Sequence, residues 1–420
     1  MIETLRRVWS QRELRRKIVF TLGIIVLFRF FAHLPLPGVD RAALRQLFST
    51  NALLGLLSAF SGGTMENFSV VSLGLAPYIN ASIIFQILTF GFPRLKEIAQ
   101  EGEYGQAKIN QYTRFLTLPL AILQGYGFYF LLRQQGVVQG LDPVTLMALV
   151  LALSAGSLLL MWLGELVSER GIGNGISLLI FVGIAAGYPL SLAQTVTSLS
   201  GGQTGNLILF LLLLLALFAG VVSISEAVRR VPIQYAVRGP RAAVQSFLPL
   251  RLNQAGVIPI IFAISLVLIP PTVARYLLGV GNPLVVEVAN KVIQLFNPSS
   301  FFYNVFYFLL VFLFTFFYTA VVFNTKDLAE NLQKRGSFVP GIRPGVATKD
   351  FLDRIVTRIT FFGGIFLGMV AVLPSVGSAL TGVTAFTLGG TGVLIVVSVV
   401  LETLRQIEGE LSVRDYEGYL

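Results

Sequence analysis

The chain has no cysteine and a single histidine, His33, among its 420 residues. The absence of thiols excludes a disulfide framework, a thiolate metal site and a cysteine nucleophile, and one imidazole cannot build a histidine cluster. Charge is scarce too, with Asp, Glu, Lys and Arg making up 12% of the residues. The apolar stretches contain no central Asp pair and no HExxH, and no phosphate-binding glycine loop occurs anywhere. An intramembrane hydrolase or a nucleotide-driven motor would need such groups. Glu165, near the end of an apolar stretch, reads as a boundary residue rather than a catalytic acid. We therefore expect no enzyme, no metal and no cofactor.

What is abundant is apolar. Hydrophobic residues account for 55% of the chain and mean hydropathy is +0.77, far from the balance of a soluble domain. Ten apolar stretches lie near 17–36, 68–92, 112–132, 143–165, 174–196, 205–226, 253–279, 301–323, 356–376 and 384–404, each close to the roughly 18–25 residues that cross a bilayer as a helix. The basic, amphipathic start MIETLRRVWSQRELRRK runs into the first of them without a small-residue cleavage site, so no removable signal peptide is expected. Ten spans place both termini on one side. The N-terminus, alternate loops and tail on that side hold 25 of the 31 Lys and Arg, against five opposite (Arg41, Arg45, Arg133, Arg275 and Lys291). Positive-inside orientation then makes both ends cytoplasmic. The remaining cation, Arg29, lies inside the first span and reads as a snorkelling or structurally paired charge.

Residues 68–92, FSVVSLGLAPYINASIIFQILTFGF, carry Pro, Asn, Gln, Tyr and several Ser. Polar groups in hydrocarbon need internal partners, so this span should line a cavity or a seam. Before it, NALLGLLSAFSGGTMENF breaks at Gly62-Gly63 after too few residues to cross, the pattern of a re-entrant half-helix. Two cytoplasmic loops stand out. Around 226–252 the sequence alternates like a short hairpin with a Gly-Pro turn, and around 324–356 a helical KDLAENLQKRG precedes FVPGIRPG, a rigid turn presenting Arg343. Ten spans also divide into two odd-numbered halves, which must insert inverted to one another. No sequence match between the halves is visible, so that symmetry rests on topology. An inverted-repeat secondary solute transporter is the alternative, although such proteins place charged groups near the midplane.

Nine strings in order carry a resemblance: PLPGVD (35–40), FSGG (60–63), LGLAPYINASIIFQILT (73–89), GEYGQAKINQYTR (102–114), MWLGELVSERGIGNGISLLIFVGI (161–184), LNQAGVIPIIFA (252–263), FFYTAVVFN (316–324), NLQKRGSFVPGIRPG (331–345) and GGTGVLIVV (389–397). By them the chain resembles the SecY/Sec61-alpha family of protein-conducting channel subunits over essentially its whole length. The resemblance implies an all-α polytopic membrane protein with two inverted five-helix halves around a pore. The expected divisions are a cytoplasmic N-terminus 1–16, halves 17–196 and 197–404, and a cytoplasmic tail 405–420.

Carried onto matching positions, the family's pore ring would be Leu75, Ile79, Ile176, Ile180, Ile261 and Ile395. Its plug would be the re-entrant segment 51–66, with Leu56, Leu57, Phe60, Gly62 and Gly63, and its lateral gate would be lined by Asn80, Ser82, Gln86, Asn174, Ser177 and Ser265. Arg229, Arg230, Arg238, Arg241 and Arg343 would bind cytoplasmic partners, the SecA ATPase or the rRNA of a ribosome. Small membrane subunits resembling SecE and SecG, signal peptides, nascent polypeptides and membrane lipids complete the implied partners, in a bacterial inner membrane. Two departures from the family pattern stand out: the tip of the first loop is a few residues short, and the chain ends at RDYEGYL where many members continue into a basic tail.

Overall fold

Runs of Leu, Ile, Val and Phe in hydrocarbon must satisfy their own backbone, and a helix does so within one segment. The computed structural model describes residues 9, 11–37, 39, 41–50, 58, 61, 63–138, 140–199, 204–235, 246–280, 282–381 and 385–417. Its helices are α1 (Arg12–His33), α2 (Arg41–Thr50), α3 (Ala76–Gly91), α4 (Pro93–Gln100), α5 (Glu103–Gln134), α6 (Pro143–Arg170), α7 (Gly175–Leu199), α8 (Thr204–Glu226), α9 (Ile258–Leu277), α10 (Pro283–Leu295), α11 (Phe301–Val322), α12 (Thr325–Lys334), α13 (Val346–Thr381) and α14 (Ala385–Glu417). All ten expected apolar stretches fall on helices: α1, α3, α5, α6, α7, α8, α9, α11, α13 and α14. Among the described residues, α5, α6, α9, α11 and α13 are long and apolar enough to cross a membrane, and α3 and parts of α7 and α8 are shorter apolar helices. The protein is an all-α polytopic membrane protein.

One expected boundary moves. The stretch from 68 becomes helical only at Ala76, where Pro77 opens α3. Residues 63–75 are turns and bends, with Phe68 at φ 46° and Gly74 at φ 58°. Their backbone is satisfied by turn bonds, such as those from the Phe68 and Gly74 amides to the Met65 and Val71 carbonyls, and by hydroxyls instead of a helix ladder. Buried Ser72 Oγ lies 2.7 Å from the Ser69 carbonyl and 3.0 Å from that of Thr64, and Ser157 on α6 donates to the Gly74 carbonyl at 2.9 Å. The amides of Leu36 and Val70 exchange bonds with the carbonyls of Phe68 and Leu34 at 2.8 and 3.1 Å, holding the segment against the chain that leaves α1.

The largest apolar cluster draws on α1, α3, α6, α7, α8, α9, α11, α13 and α14, and a second joins α2 and the 63–75 segment to α5 and α6. At one end of the bundle the two long loops meet. β1 (Val228–Tyr235) pairs antiparallel with β2 (Ser246–Arg251), as the hairpin pattern implied, with the tip 236–245 outside the described residues. β3 (Ser337–Phe338), from the second loop, adds to the other edge of β1, giving the order β2-β1-β3. The loops expected as separate features are therefore one sheet. Its inner residues Val231 and Leu250 pack with Val339 and with Ile359 of α13.

At the same end Lys17 of α1 meets Glu410 of α14 at 2.8 Å, Arg114 of α5 meets Glu165 of α6 at 2.7 Å, and Arg405 of α14 meets Glu226 of α8 at 2.6 Å. The expected C-terminal tail is largely a continuation of α14, whose Leu411 packs on Leu14 and Ile172.

Gly156 lets α6 touch the non-helical segment, because a Cβ there would fall onto the Val70 carbonyl. Gly156→Val should therefore cost about 1–3 kcal/mol through overpacking, read as a lower melting temperature of the detergent-solubilised protein. An unchanged melting temperature would contradict the close approach.

Candidate functional site

The six aliphatic residues singled out from the sequence come from four helices and share one apolar cluster. Leu75, Ile180, Ile261 and Ile395 are buried in it, and Ile79 and Ile176 are half-buried against it. Leu75 stands at the N-cap of α3 and Ile79 one turn later, Ile176 and Ile180 lie one turn apart on α7, Ile261 is on α9 and Ile395 on α14. Gly164 of α6 allows α7 to approach, since a Cβ there would come within 2.9 Å of the Ile176 side chain. Branched aliphatic groups of this kind give water and ions no hydrogen-bond partner, so entry among them carries a desolvation penalty.

Of the re-entrant residues, Leu56, Leu57, Phe60 and Gly62 lie outside the described residues. Gly63 adopts φ +74°, a conformation open to glycine, and its amide bonds to the Ser58 carbonyl at 2.8 Å. Beyond it, buried Met65 and Phe68 anchor the chain to α5 and α6, with Phe68 stacked on Phe128 at 6.0 Å between centroids.

α9 packs against both α3 and α5, and Phe90 meets Phe317 edge to face at 5.5 Å, joining α3 to α11. Asn80, Ser82 and Gln86 are half-buried on α3, and Ser265 is half-buried on α9. Three of these close on their own helices. Gln86 Nε2 donates to Ser82 Oγ at 3.0 Å and Ser265 Oγ donates to the Ile261 carbonyl at 2.8 Å, while the buried Gln86 Oε1 has no partner. Asn174 and Ser177 sit elsewhere, at the start of α7, where exposed Asn174 Oδ1 accepts from the Ser177 amide at 3.1 Å as a helix cap.

Sequence reading missed a polar joint at the opposite end of this seam from the sheet. With its carboxamide turned to satisfy both neighbours, Gln134 of α5 donates to the Arg275 carbonyl at 3.2 Å and accepts from the Gly279 amide at 3.1 Å. Gly279 makes room for it: a Cβ would meet the Gln134 carboxamide at 2.5 Å and the Phe130 ring at 2.9 Å. A Gln at a span end and a Gly in a turn carry no signal of pairing until the helices are in place.

On the sheet, Arg229 and Arg230 are exposed, and Arg238 and Arg241 lie outside the described residues. Arg343 is exposed between Gly341 (φ +79°) and Gly345 (φ +96°), and its carbonyl accepts from Thr348 Oγ1 at 2.9 Å. Beside it, Ile342 donates to the Val339 carbonyl at 3.0 Å and packs on the sheet cluster, so the guanidinium projects from a pinned turn. Among the described residues no group of three or more His, Asp or Glu could hold a metal ion.

The family profile of SecY matches residues 69–404. Protein translocase subunit SecY of Aquifex aeolicus strain VF5 is 41% identical over 435 residues, covering 100% of both chains. The protein of the same name from Mycobacterium tuberculosis strain H37Rv is 42% identical over 445 residues, covering 100% of this chain and 99% of its own. Among solved structures, one described as a protein conducting channel matches with TM-score 0.64 at 19% identity, over 94% of this chain and 92% of that one. Sec61 in the canine ribosome-channel complex from the endoplasmic reticulum matches with TM-score 0.61 at 20% identity over the same shares. These structures share the fold.

If Gln134 and Gly279 join α5 to α9, then Gln134→Leu should weaken the joint by about 0.6–1.7 kcal/mol and Gly279→Val should push the two helix ends apart. Spin labels on those ends should report a longer, broader distance distribution. Unchanged distances in both variants would remove the joint.

Proposed function

This chain belongs to the SecY family, and on that premise we propose that it is a protein-conducting channel, passing unfolded secretory polypeptides across the membrane and releasing transmembrane segments sideways into lipid. The observation that carries the mechanism is the gathering of six aliphatic side chains from four helices into one apolar cluster. Such a collar resists ions at rest and offers a passing chain no fixed partner to hold it. The re-entrant segment would rest against the collar as a plug, and its hydroxyl-tied base would stay in place when the tip moves. No observation favours a solute transporter, and the relatives compared carry translocase names.

The lateral exit would be the seam where α9 meets α3 and α5. Its polar side chains bond mostly within their own helices, which leaves the seam closed by packing and by the joint at Gln134, an arrangement that an apolar signal segment can compete with. Two five-helix halves, α1–α7 and α8–α14 with their associated short helices, would hinge around the pore. Both termini would be cytoplasmic, in accord with 25 of the 31 basic residues on that side. The membrane would be the bacterial inner membrane, with small subunits resembling SecE and SecG alongside.

A channel without catalytic machinery of its own would draw its drive from the SecA ATPase or a ribosome docked on the sheet. Guanidinium suits both, since it is permanently charged and binds phosphate or carboxylate with two parallel hydrogen bonds. Arg343→Glu should slow partner-driven translocation while expression and thermal stability stay near the parent's; unchanged translocation kinetics would count against this docking role.

The collar makes the sharper demand. Ile79→Asn, Ile180→Asn and Ile261→Asn, on three different helices, should each raise resting ion conductance in planar bilayers, and deleting residues 55–65 should add to the leak. Isolated core isoleucines would behave differently, losing stability without opening a path. Well-folded, ion-tight variants would rule out the ring.

A further inference from the structure

The helix α10 joins the ends of α9 and α11 at the side of the bundle away from the sheet. Its 13 residues, PLVVEVANKVIQL, start at Asn282, whose side chain accepts from the Leu284 amide at 3.1 Å. A helix connecting two spans outside the bilayer needs only two faces, one on the protein and one in water. α10 has three. Ala289 is buried, and Val285, Val286, Val292 and Ile293 are half-buried toward the protein. Asn290, Gln294 and Glu287 form an exposed polar arc. Between the two runs an apolar stripe at helical spacing, Leu284, Val288 and Leu295, that is exposed among the described residues: Leu284 is 73% exposed and Val288 60%.

We propose that this stripe is seated in the headgroup layer of the bilayer, making α10 an interfacial anchor on the membrane face opposite the sheet. The occupant is identified by continuity. Leu277 at the end of α9 and Phe301, Phe302 and Val305 at the start of α11 are exposed apolar residues of membrane-spanning helices, and the exposed stripe of α10 lies in the connection between them. Phe296, edge to face with Phe302 at 5.7 Å and with Phe306 at 5.6 Å, clamps the far end of α10 to α11 and fixes its roll. Lys291 flanks the stripe, paired with Glu287 at 2.7 Å on its polar side, where a flexible ammonium can reach lipid phosphate. The proposal needs only a membrane-spanning protein and is independent of what the protein conducts.

The natural absence of cysteine makes the test direct. Leu284→Cys, Val288→Cys and, on the polar arc, Asn290→Cys are each labelled with a nitroxide in the full chain, purified with any subunits that accompany it. The protein is reconstituted into vesicles of phosphatidylethanolamine and phosphatidylglycerol. Labels at 284 and 288 should be several-fold more accessible to oxygen than to a water-soluble nickel chelate, at a depth of about 5–10 Å, whereas the label at 290 should favour the chelate. Leu295→Cys gives a second reading of the stripe should the 284 variant fold poorly. Labels on the stripe as open to the chelate as that at 290 would place it in water. Labels shielded from both reagents would place it against another protein. Either result overturns the proposal.

Discussion

A chain that leaves helical geometry inside a membrane protein must find partners for every backbone group it frees. From Gly63 to Leu75 this protein does so in two ways: amides such as those of Phe68, Ser69, Ser72 and Gly74 bond to carbonyls within the segment, and the hydroxyls of Ser69, Ser72 and, from α6, Ser157 donate to further carbonyls. Much else depends on that solution. It sets the point at which α3 begins, and hence the heights of Leu75 and Ile79. It also holds residues 63–75 to α5 and α6 through Phe68, and it requires glycine at 156, where the two backbones touch.

The same economy governs the seam between α3, α5 and α9. Hydrogen bonds that cross between helices would hold it shut in proportion to their number. Here Gln86 and Ser265 donate one turn away on their own helices, Gln86 to the Ser82 hydroxyl and Ser265 to the Ile261 carbonyl, the latter a common resort of Ser and Thr in helices. Among the described residues a cross-helix polar contact lies at one end, at Gln134. Aromatic and aliphatic packing closes the remainder, and such packing is nearly as favourable with an incoming apolar segment as with the neighbouring helix, since lipid and side chain are equally apolar.

Hydropathy made the spans legible because twenty consecutive apolar residues have few alternatives to a helix. It misjudged 68–75 for a physical reason: a turn buried in protein is as apolar as a helix, and hydroxyls that serve the backbone look like polar residues lining a cavity. Alternation around Tyr235 announced a hairpin, found as β1 and β2, but the two residues of β3 are too few to show a period, so the union of the loops was invisible. The apolar ring residues could be named only through family resemblance, since nothing local separates Ile395 from any other buried isoleucine. Asn174 read as a seam residue because polarity in a span was the only clue, whereas its place at the first turn of α7 gives it a cap to fill. Gln134 and Gly279 lie far apart in sequence, and their pairing exists only once α5 and α9 are side by side.

The three-stranded sheet links segments that lead into different helices. β2 passes through Leu252, whose amide bonds to the Ala227 carbonyl at 2.9 Å, into α9, while β3 connects α12 to the pinned Arg343 turn and α13. A push or pull at that turn is therefore not absorbed in a slack loop. It is shared, as by a yoke, between the base of α13 and the base of α9, so a load on one small patch of the surface would reach both helices together.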